Sequence, residues 1–334
     1  MKRIIALLAG FAVTTCILTG CTPDPVQDPG TSSPEEITSS ASEAVSSEEI
    51  QSQAESSQEA PSQTVSSKPV VSQGNPSQFV SSETTSLVLP DVTDLKDQPH
   101  YREELTKRYA TYKAKNPKLT NEQIVTRVNI GLDQPYYTGA TPTDLSDGIL
   151  MVVNKYHYLP EDYQPENMEL VDKKYWSVGF PVPLYMQMEA KLAFESLCEG
   201  GLAEGMTILA RSGFRDYAFQ KRIYNNYVSM DGREKADTYS ARPGYSEHQT
   251  GLAMDVCTDT HGYLQFYKTE EAKWVKKNAH TYGFIIRYTE EDVSITGYSA
   301  EAWHLRYVGV EAATYIYENG ITFDEYHARF VAQN

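Results

Sequence analysis

The chain has 334 residues, 40% of them hydrophobic and 22% charged, with a formal net charge of -16. Residues 1–21 carry +2, residues 22–88 carry -9 and residues 89–334 carry the remaining -9, so both parts of the chain beyond residue 21 are acidic. That balance argues against a nucleic-acid binder and against a polybasic membrane-surface binder, and the length allows one large domain with additions or two domains.

Lys2 and Arg3 precede an apolar run from Ile4 to Leu18, followed by Leu18-Thr19-Gly20-Cys21. A basic start, a short apolar stretch and small residues before a cut site describe a secretory signal over residues 1–21. Its ending resembles a bacterial lipobox, which implies cleavage before Cys21 and a lipid on that cysteine. The alternative is a plain membrane anchor, although the run is near the lower length limit for a spanning helix. Either reading puts the rest of the chain outside the cytoplasm. Residues 22–88 hold 18 Ser, ten acidic residues, one lysine (Lys68) and one aromatic (Phe79). Such a segment buries too little apolar surface to offset chain entropy and reads as a disordered tether. Its root-mean-square reach as a flexible coil is on the order of 45 Å.

Apolar residues at Leu105, Tyr109 and Tyr112 predict a helix that stops at Asn116-Pro117, and Thr120 with Gln123 forms a capping box for a second helix through Ile124 and Val128. This accessory helical region, residues 89–147, carries no visible chemistry. Further on, Ile149–Asn154 is a strand candidate; Leu184, Met188 and Leu192 mark a helix ended by Gly200-Gly201; Thr207–Ala210 is a strand candidate; a helix runs from Asp216 to about Met230. His248–Val256, Phe284–Tyr288 and Trp303–Val308 read as strands. A helix on Ala272, Val275, Ala279 and Tyr282 lies between the first two, and Thr322 with Glu325 caps a last helix. Irregular mixing with hairpin-like pairs favours α+β over a doubly wound sheet. After removal of the signal and lipidation of Cys21, Cys198 and Cys257 remain, either as a disulfide or as two buried thiols.

Two segments carry the chemistry: Ser246-Glu247-His248-Gln249-Thr250-Gly251-Leu252-Ala253-Met254-Asp255 and Glu301-Ala302-Trp303-His304. A catalytic zinc takes three protein ligands and keeps an open position. His248, Asp255 and His304 supply that set, and Glu301 is left to act as general base on water at the metal. Each half alone is ordinary: a His near an Asp is commonly a hydrogen-bonded pair, and Glu-x-x-His commonly an i, i+3 helix pair. The joint pattern is what separates them from His100, His157, His261, His280 and His327, which read as structural or surface groups.

Ser-x-His-x-x-Gly-x-Ala-x-Asp followed by Glu301-Ala302-Trp303-His304-Leu305-Arg306-Tyr307-Val308-Gly309 resembles the VanY-type D-alanyl-D-alanine carboxypeptidases. These belong to the wider group of zinc peptidases that includes lysostaphin and the D-Ala-D-Ala metallopeptidases. Ser212-Gly213-Phe214-Arg215, with Gln220 after it, is similar to another family block, with Asp216 where Ser is usual. Asn154-Lys155 through Leu159-Pro160 and Tyr163-x-Pro165 is similar to the start of the family's catalytic domain. The resemblance covers residues 148–334. It implies an α+β domain with a small antiparallel sheet flanked by helices and a single zinc site, one Zn²⁺ per chain on His248, Asp255 and His304. It also implies Glu301 as catalytic base, Arg215 at the developing oxyanion or a peptide carboxylate, and Gln220 and Ser246 against the substrate. Arg306, Trp303 and Tyr307 follow the motif but can equally pack or brace the site.

The implied activity is removal of the terminal D-alanine from peptidoglycan stem peptides or precursors (DD), with removal from a tetrapeptide stem (LD) as the alternative. Outside the enzyme class, the rivals are a non-catalytic wall-binding lipoprotein and a solute-binding lipoprotein. The first predicts damage to the ligand set or base; the second leaves the His/Asp/Glu/His pattern unexplained. A serine-type DD-peptidase is disfavoured because the ordered region holds no Ser-x-x-Lys start. Nothing in the sequence calls for more than a monomer.

Overall fold

Short strands between Leu209 and Tyr307, joined by helices and turns, dictate where the site sits. The structure, a computed structural model, describes residues 90–179 and 182–332. The signal, Cys21 and the Ser/Glu-rich segment lie outside the described residues. No helix among the described residues is long and apolar enough to cross a membrane.

Helices α1 (Thr106–Lys115) and α2 (Asn121–Ile130) form as their patterns predict. Thr120 accepts from the Gln123 backbone, while the Gln123 side chain accepts from the Thr120 backbone. Leu95, Tyr109, Ile124, Val125 and Val128 make a small core of their own. The expected strand at Ile149–Asn154 is absent. Leu145–Leu150 is a 3₁₀ turn instead, and the carbonyls of Ile149 and Met151 accept from Arg306 at 2.9 and 2.8 Å. A guanidinium takes the place that a neighbouring strand would fill.

Two short pairs follow. Strands β1 (Thr141–Pro142) and β2 (His157–Tyr158) are parallel; β3 (Met168–Leu170) and β4 (Tyr185–Gln187) are antiparallel. Leu184 lies ahead of β4, and helix α3 runs Met188–Ala203, straight through Gly200 and Gly201. Both glycines are there for close approach: a Cβ on Gly200 would collide with the Tyr282 hydroxyl, and one on Gly201 would lie 2.9 Å from the Ile208 side chain. The buried stripe of α3 is Ala190, Phe194, Leu197 and Cys198, whereas Met188 and Leu192 face solvent.

The principal sheet has four antiparallel strands in the order β5 (Leu209–Ser212), β6 (Ala253–Cys257), β8 (Glu301–Tyr307), β7 (Phe284–Tyr288). Helix α4 (Tyr217–Asp231) follows β5, with the Asp216 carboxylate accepting from the Phe219 N–H at its start. A short helix α5 (Arg233–Ala236) leads towards the His248 segment, and α6 (Glu270–Asn278) precedes β7. After α7 (Val293–Thr296) and β8, helices α8 (Val310–Asn319) and α9 (Phe323–Phe330) close the fold. A capping box of Thr322 and Glu325 starts α9.

Alternation sorts the sheet into two faces. Met254, Val256, Phe284, Leu305 and Tyr307 join Phe194 and Leu197 of α3 and Trp274 and Val275 of α6 in the main core. Burying each large apolar side chain there is worth about 1.5–3 kcal/mol. The intervening positions Asp255, Arg287, His304 and Arg306 therefore turn to the opposite face. Cys198 and Cys257 are both free and buried, so of the two readings the pair of thiols holds. The described residues thus form an α+β fold with small sheets.

Candidate active site

Two strands and one turn bring the candidate residues together. Asp255 on β6 and His304 on β8 are directly opposite partners in the sheet register, which sets their side chains next to each other. His248 does not lie on a strand as expected. It sits in a 3₁₀ turn, Glu247–Thr250, that ends at Gly251 with φ 70° before β6 begins. A Cβ at Gly251 would stand 2.7 Å from the Met168 sulfur; only glycine tolerates both that contact and that backbone.

Glu301 poses a geometric question. On a regular strand, residues 301 and 304 would face opposite sides. The pairing of β7 with β8 is irregular here: Ile286 faces Leu305 but Tyr288 faces Glu301. Extra residues on β8 form a bulge that re-aims the chain, and Glu301 Oε2 comes within 3.7 Å of His304 Nδ1. The i, i+3 spacing therefore belongs to a bulged strand, not to a helix.

The ligand atoms of His248, Asp255 and His304 lie within 4.8 Å of one another, and all three residues are buried. The Nε2 of His248 approaches Asp255 Oδ2 at 3.3 Å, and the Nδ1 of His304 approaches Asp255 Oδ1 at 3.1 Å. Yet His248 Nε2 and Asp255 Oδ1 are buried without a hydrogen-bond partner. Buried polar atoms are rarely left so. Two imidazole nitrogens and a carboxylate oxygen converging in this way fit a zinc ion.

The His248 tautomer is set by its surroundings. Its Nδ1 lies 2.7 Å from the Gly213 carbonyl, which can only accept, so Nδ1 carries the hydrogen and Nε2 presents its lone pair. Burial, with the nearby charge of Arg215, pushes the His248 pKa down to about 4. For His304, burial is outweighed by the carboxylates of Asp255 and Glu247, which push it up to about 9. Burial pushes the Glu301 carboxyl up to about 8 against the opposing charge of His304.

These residues line one cavity of about 730 Å³, together with Arg215, Gln220 and Ser246. Arg215 donates its backbone N–H to the His248 carbonyl at 3.2 Å, tying the two motif blocks together. Its Nε is buried without a hydrogen-bond partner. No ion pair holds it to Asp216, whose carboxylate caps α4. Gln220 donates to the Ala241 carbonyl at 2.8 Å, which leaves its buried Oε1 unpartnered. Ser246 is buried at the start of the His248 turn. Trp303 lines the cavity and meets Tyr263 edge to face at 5.5 Å. Of the other histidines, His327 pairs with Asp147 at 2.9 Å and His157 with Asn154 at 3.1 Å, and neither lines this cavity.

Sequence reasoning allowed Arg306 to pack or brace the site but missed the charged layer it belongs to, behind these residues. The Nε2 of His304 lies 3.2 Å from Glu247 Oε2. Glu247 Oε1 accepts from Arg287 Nε at 2.8 Å and Arg306 Nη1 at 3.1 Å. Arg287 reaches on to Asp324 at 2.7 Å, and Asp324 accepts from Asn154 at 2.7 Å. Arg287 could have been suspected, since it stands in the apolar run Phe284-Ile285-Ile286-Arg287-Tyr288. Lys155, the neighbour of Asn154, is buried over the ring of Tyr298 at 4.1 Å and donates to the Asp237 carbonyl at 2.6 Å.

The sequence profile described as "VanY: D-alanyl-D-alanine carboxypeptidase" matches residues 183–310. The chain is 42% identical over 183 residues to a putative carboxypeptidase, YodJ, of Bacillus subtilis (strain 168), covering 54% of this chain and 67% of that one. It is 32% identical over 184 residues to the bifunctional D-Ala-D-Ala dipeptidase and D-Ala-D-Ala carboxypeptidase VanXYC of Enterococcus gallinarum, covering 53% of this chain and 93% of that one. Among solved structures, the LdcB LD-carboxypeptidase superposes with a TM-score of 0.53 at 39% identity, covering 57% of this chain and 91% of that one. The chain belongs to the VanY family of D-alanyl-D-alanine carboxypeptidases.

Proposed function

We propose that this protein is a zinc-dependent carboxypeptidase that removes the terminal D-alanine from peptidoglycan stem peptides. It works outside the cytoplasm of a bacterium, held to the membrane through lipidated Cys21 and the segment 22–88. The observation that carries the reading is the convergence of His248, Asp255, His304 and Glu301 on one cavity, with the unpartnered Arg215 Nε beside them.

His248 Nε2, Asp255 and His304 Nδ1 would hold the zinc, which when bound supplies Lewis acidity towards a carbonyl oxygen and water. Glu301 takes a proton from the attacking water and returns it to the departing D-alanine nitrogen. Arg215, with donors to give, meets either the negative charge developing on the carbonyl oxygen or the peptide's terminal carboxylate. Gln220 and Ser246 contact the peptide from the same wall.

The DD reaction on a pentapeptide stem is the first reading. The LD reading has one observation in its favour: identity is 39% to the LdcB LD-carboxypeptidase and 32% to the D-Ala-D-Ala enzyme VanXYC. The test incubates the zinc-loaded protein separately with pentapeptide and tetrapeptide muropeptides and follows the products by mass spectrometry, with a chelator control. Loss of one alanine from the pentapeptide alone gives DD, and loss from the tetrapeptide gives LD. Absence of chelator-sensitive cleavage of either sinks the reading.

A further inference from the structure

We propose that Glu247 is the positioning residue of the metal site: it holds the His304 ring so that Nε2–H is engaged and Nδ1 is left to face the ion. The inference rests on the zinc reading above. Glu247 and His248 are consecutive in one 3₁₀ turn, so a single turn supplies one ligand directly and orients another.

The geometry leaves little freedom. Glu247 is buried and uses both oxygens: Oε1 takes Arg287 at 2.8 Å and Arg306 at 3.1 Å, and Oε2 lies 3.2 Å from His304 Nε2. A buried carboxylate survives only when paired, and here two guanidiniums pair it. Those guanidiniums are themselves fixed. Arg287 continues to Asp324 at 2.7 Å, and Arg306 donates to the carbonyls of Ile149, Met151 and Tyr307 at 2.9, 2.8 and 3.0 Å. The carboxylate therefore cannot turn away from His304 without stranding a buried charge. An ionised carboxylate accepts and does not donate, so once the ion takes the place of the Nδ1 hydrogen, the one hydrogen left on His304 sits on Nε2 against Glu247. The lone pair is then on Nδ1, the atom that faces Asp255 at 3.1 Å. Partners of this kind typically govern metal affinity by 10–100-fold.

Glu247→Gln separates this role from mere charge pairing. The two arginines offer only donors, so the new amide must turn its oxygen to them and its NH₂ to His304. The ring can accept that NH₂ only by moving its own hydrogen to Nδ1, the ligand atom.

Two measurements test the proposal. Long-range ¹H–¹⁵N NMR of the imidazoles in the zinc-loaded wild-type protein should show His304 protonated on Nε2 and metal-bound through Nδ1; the opposite assignment overturns it. Competition with a chromophoric chelator should show zinc dissociation constants about 10–100-fold weaker in Glu247→Gln, read alongside thermal unfolding of the metal-free proteins. An unchanged zinc affinity in a folded Glu247→Gln protein overturns it too. Should that variant not fold, the NMR assignment decides alone. Failure to bind zinc in the wild type removes both this inference and the zinc reading. A zinc-loaded protein with Nε2-protonated His304 but no peptidase activity removes only the reaction.

Discussion

The two sides of the proposed ligand set are built on opposite rules. Behind His304, charged atoms are matched: Glu247 with Arg287 and Arg306, Arg287 with Asp324, Asp324 with Asn154. In front, atoms of His248, Asp255, Arg215 and Gln220 are buried without hydrogen-bond partners. Burying polar groups unmatched costs stability, so the front wall is held in place for what it will bind, and the back wall supplies the rigidity. A catalytic constellation needs both, since ligands that wander by an ångström lose rate.

The comparison makes different demands on variants of each side. Replacing Glu301 by Gln on the front should lower kcat by about 10²–10⁴-fold with zinc still bound, checked by steady-state kinetics and metal analysis together. An active, zinc-loaded Glu301→Gln protein would remove its role as base. Replacing Arg287 by Met on the back should cost about 3–5 kcal/mol of stability, because Glu247 and Asp324 lose a buried counter-charge; denaturant titration measures it. Equal stability would mean that the back wall is not the brace described here. Arg215→Ala on the front should reduce kcat/KM about 10–100-fold, the scale of one hydrogen bond to a charged group, with the unfolding midpoint unmoved.

The smallest effect is one of pH, at the edge of the back wall. Burial, with the charge of His327, holds the His157 pKa down at about 4, against 6.5 for an ordinary histidine. The unfolded chain binds that proton first, so the stability from His157 is complete above about pH 6.5 and is lost as pH falls towards about 4. Between those limits the wild type should lose about 1–3 kcal/mol more than His157→Gln, and parallel slopes would contradict it.

The front wall was legible in the sequence and the back wall, apart from Arg306 as a possible brace, was not, for a physical reason. His, Asp and Glu in fixed short spacings are chemically distinctive, so His248, Asp255, Glu301 and His304 could be grouped before any fold was known. Glu247 lies inside the same motif, but its partners Arg287 and Arg306 are 40 and 59 residues away, and a charge reveals its partner only once the sheet has formed. Local signals fared according to how local their cause was. The capping boxes at Thr120 and Thr322 involve only neighbours and formed as read. Gly200-Gly201 was read as a stop, yet the helix runs on through them, and the glycines make room for Tyr282 and Ile208, contacts that form only once the chain has folded. Ile149–Asn154 has strand composition, but Arg306 claims its carbonyls. The bulge that turns Glu301 inward is likewise a property of the β7–β8 pairing and not of the Glu-x-x-His spacing.

The most direct test of the central claim is a zinc titration of the chelator-stripped full protein, following alanine release from stem peptides by mass spectrometry. The account predicts no release without metal and full activity at one zinc per chain. Release that persists in excess chelator, or none at any zinc concentration, would contradict it.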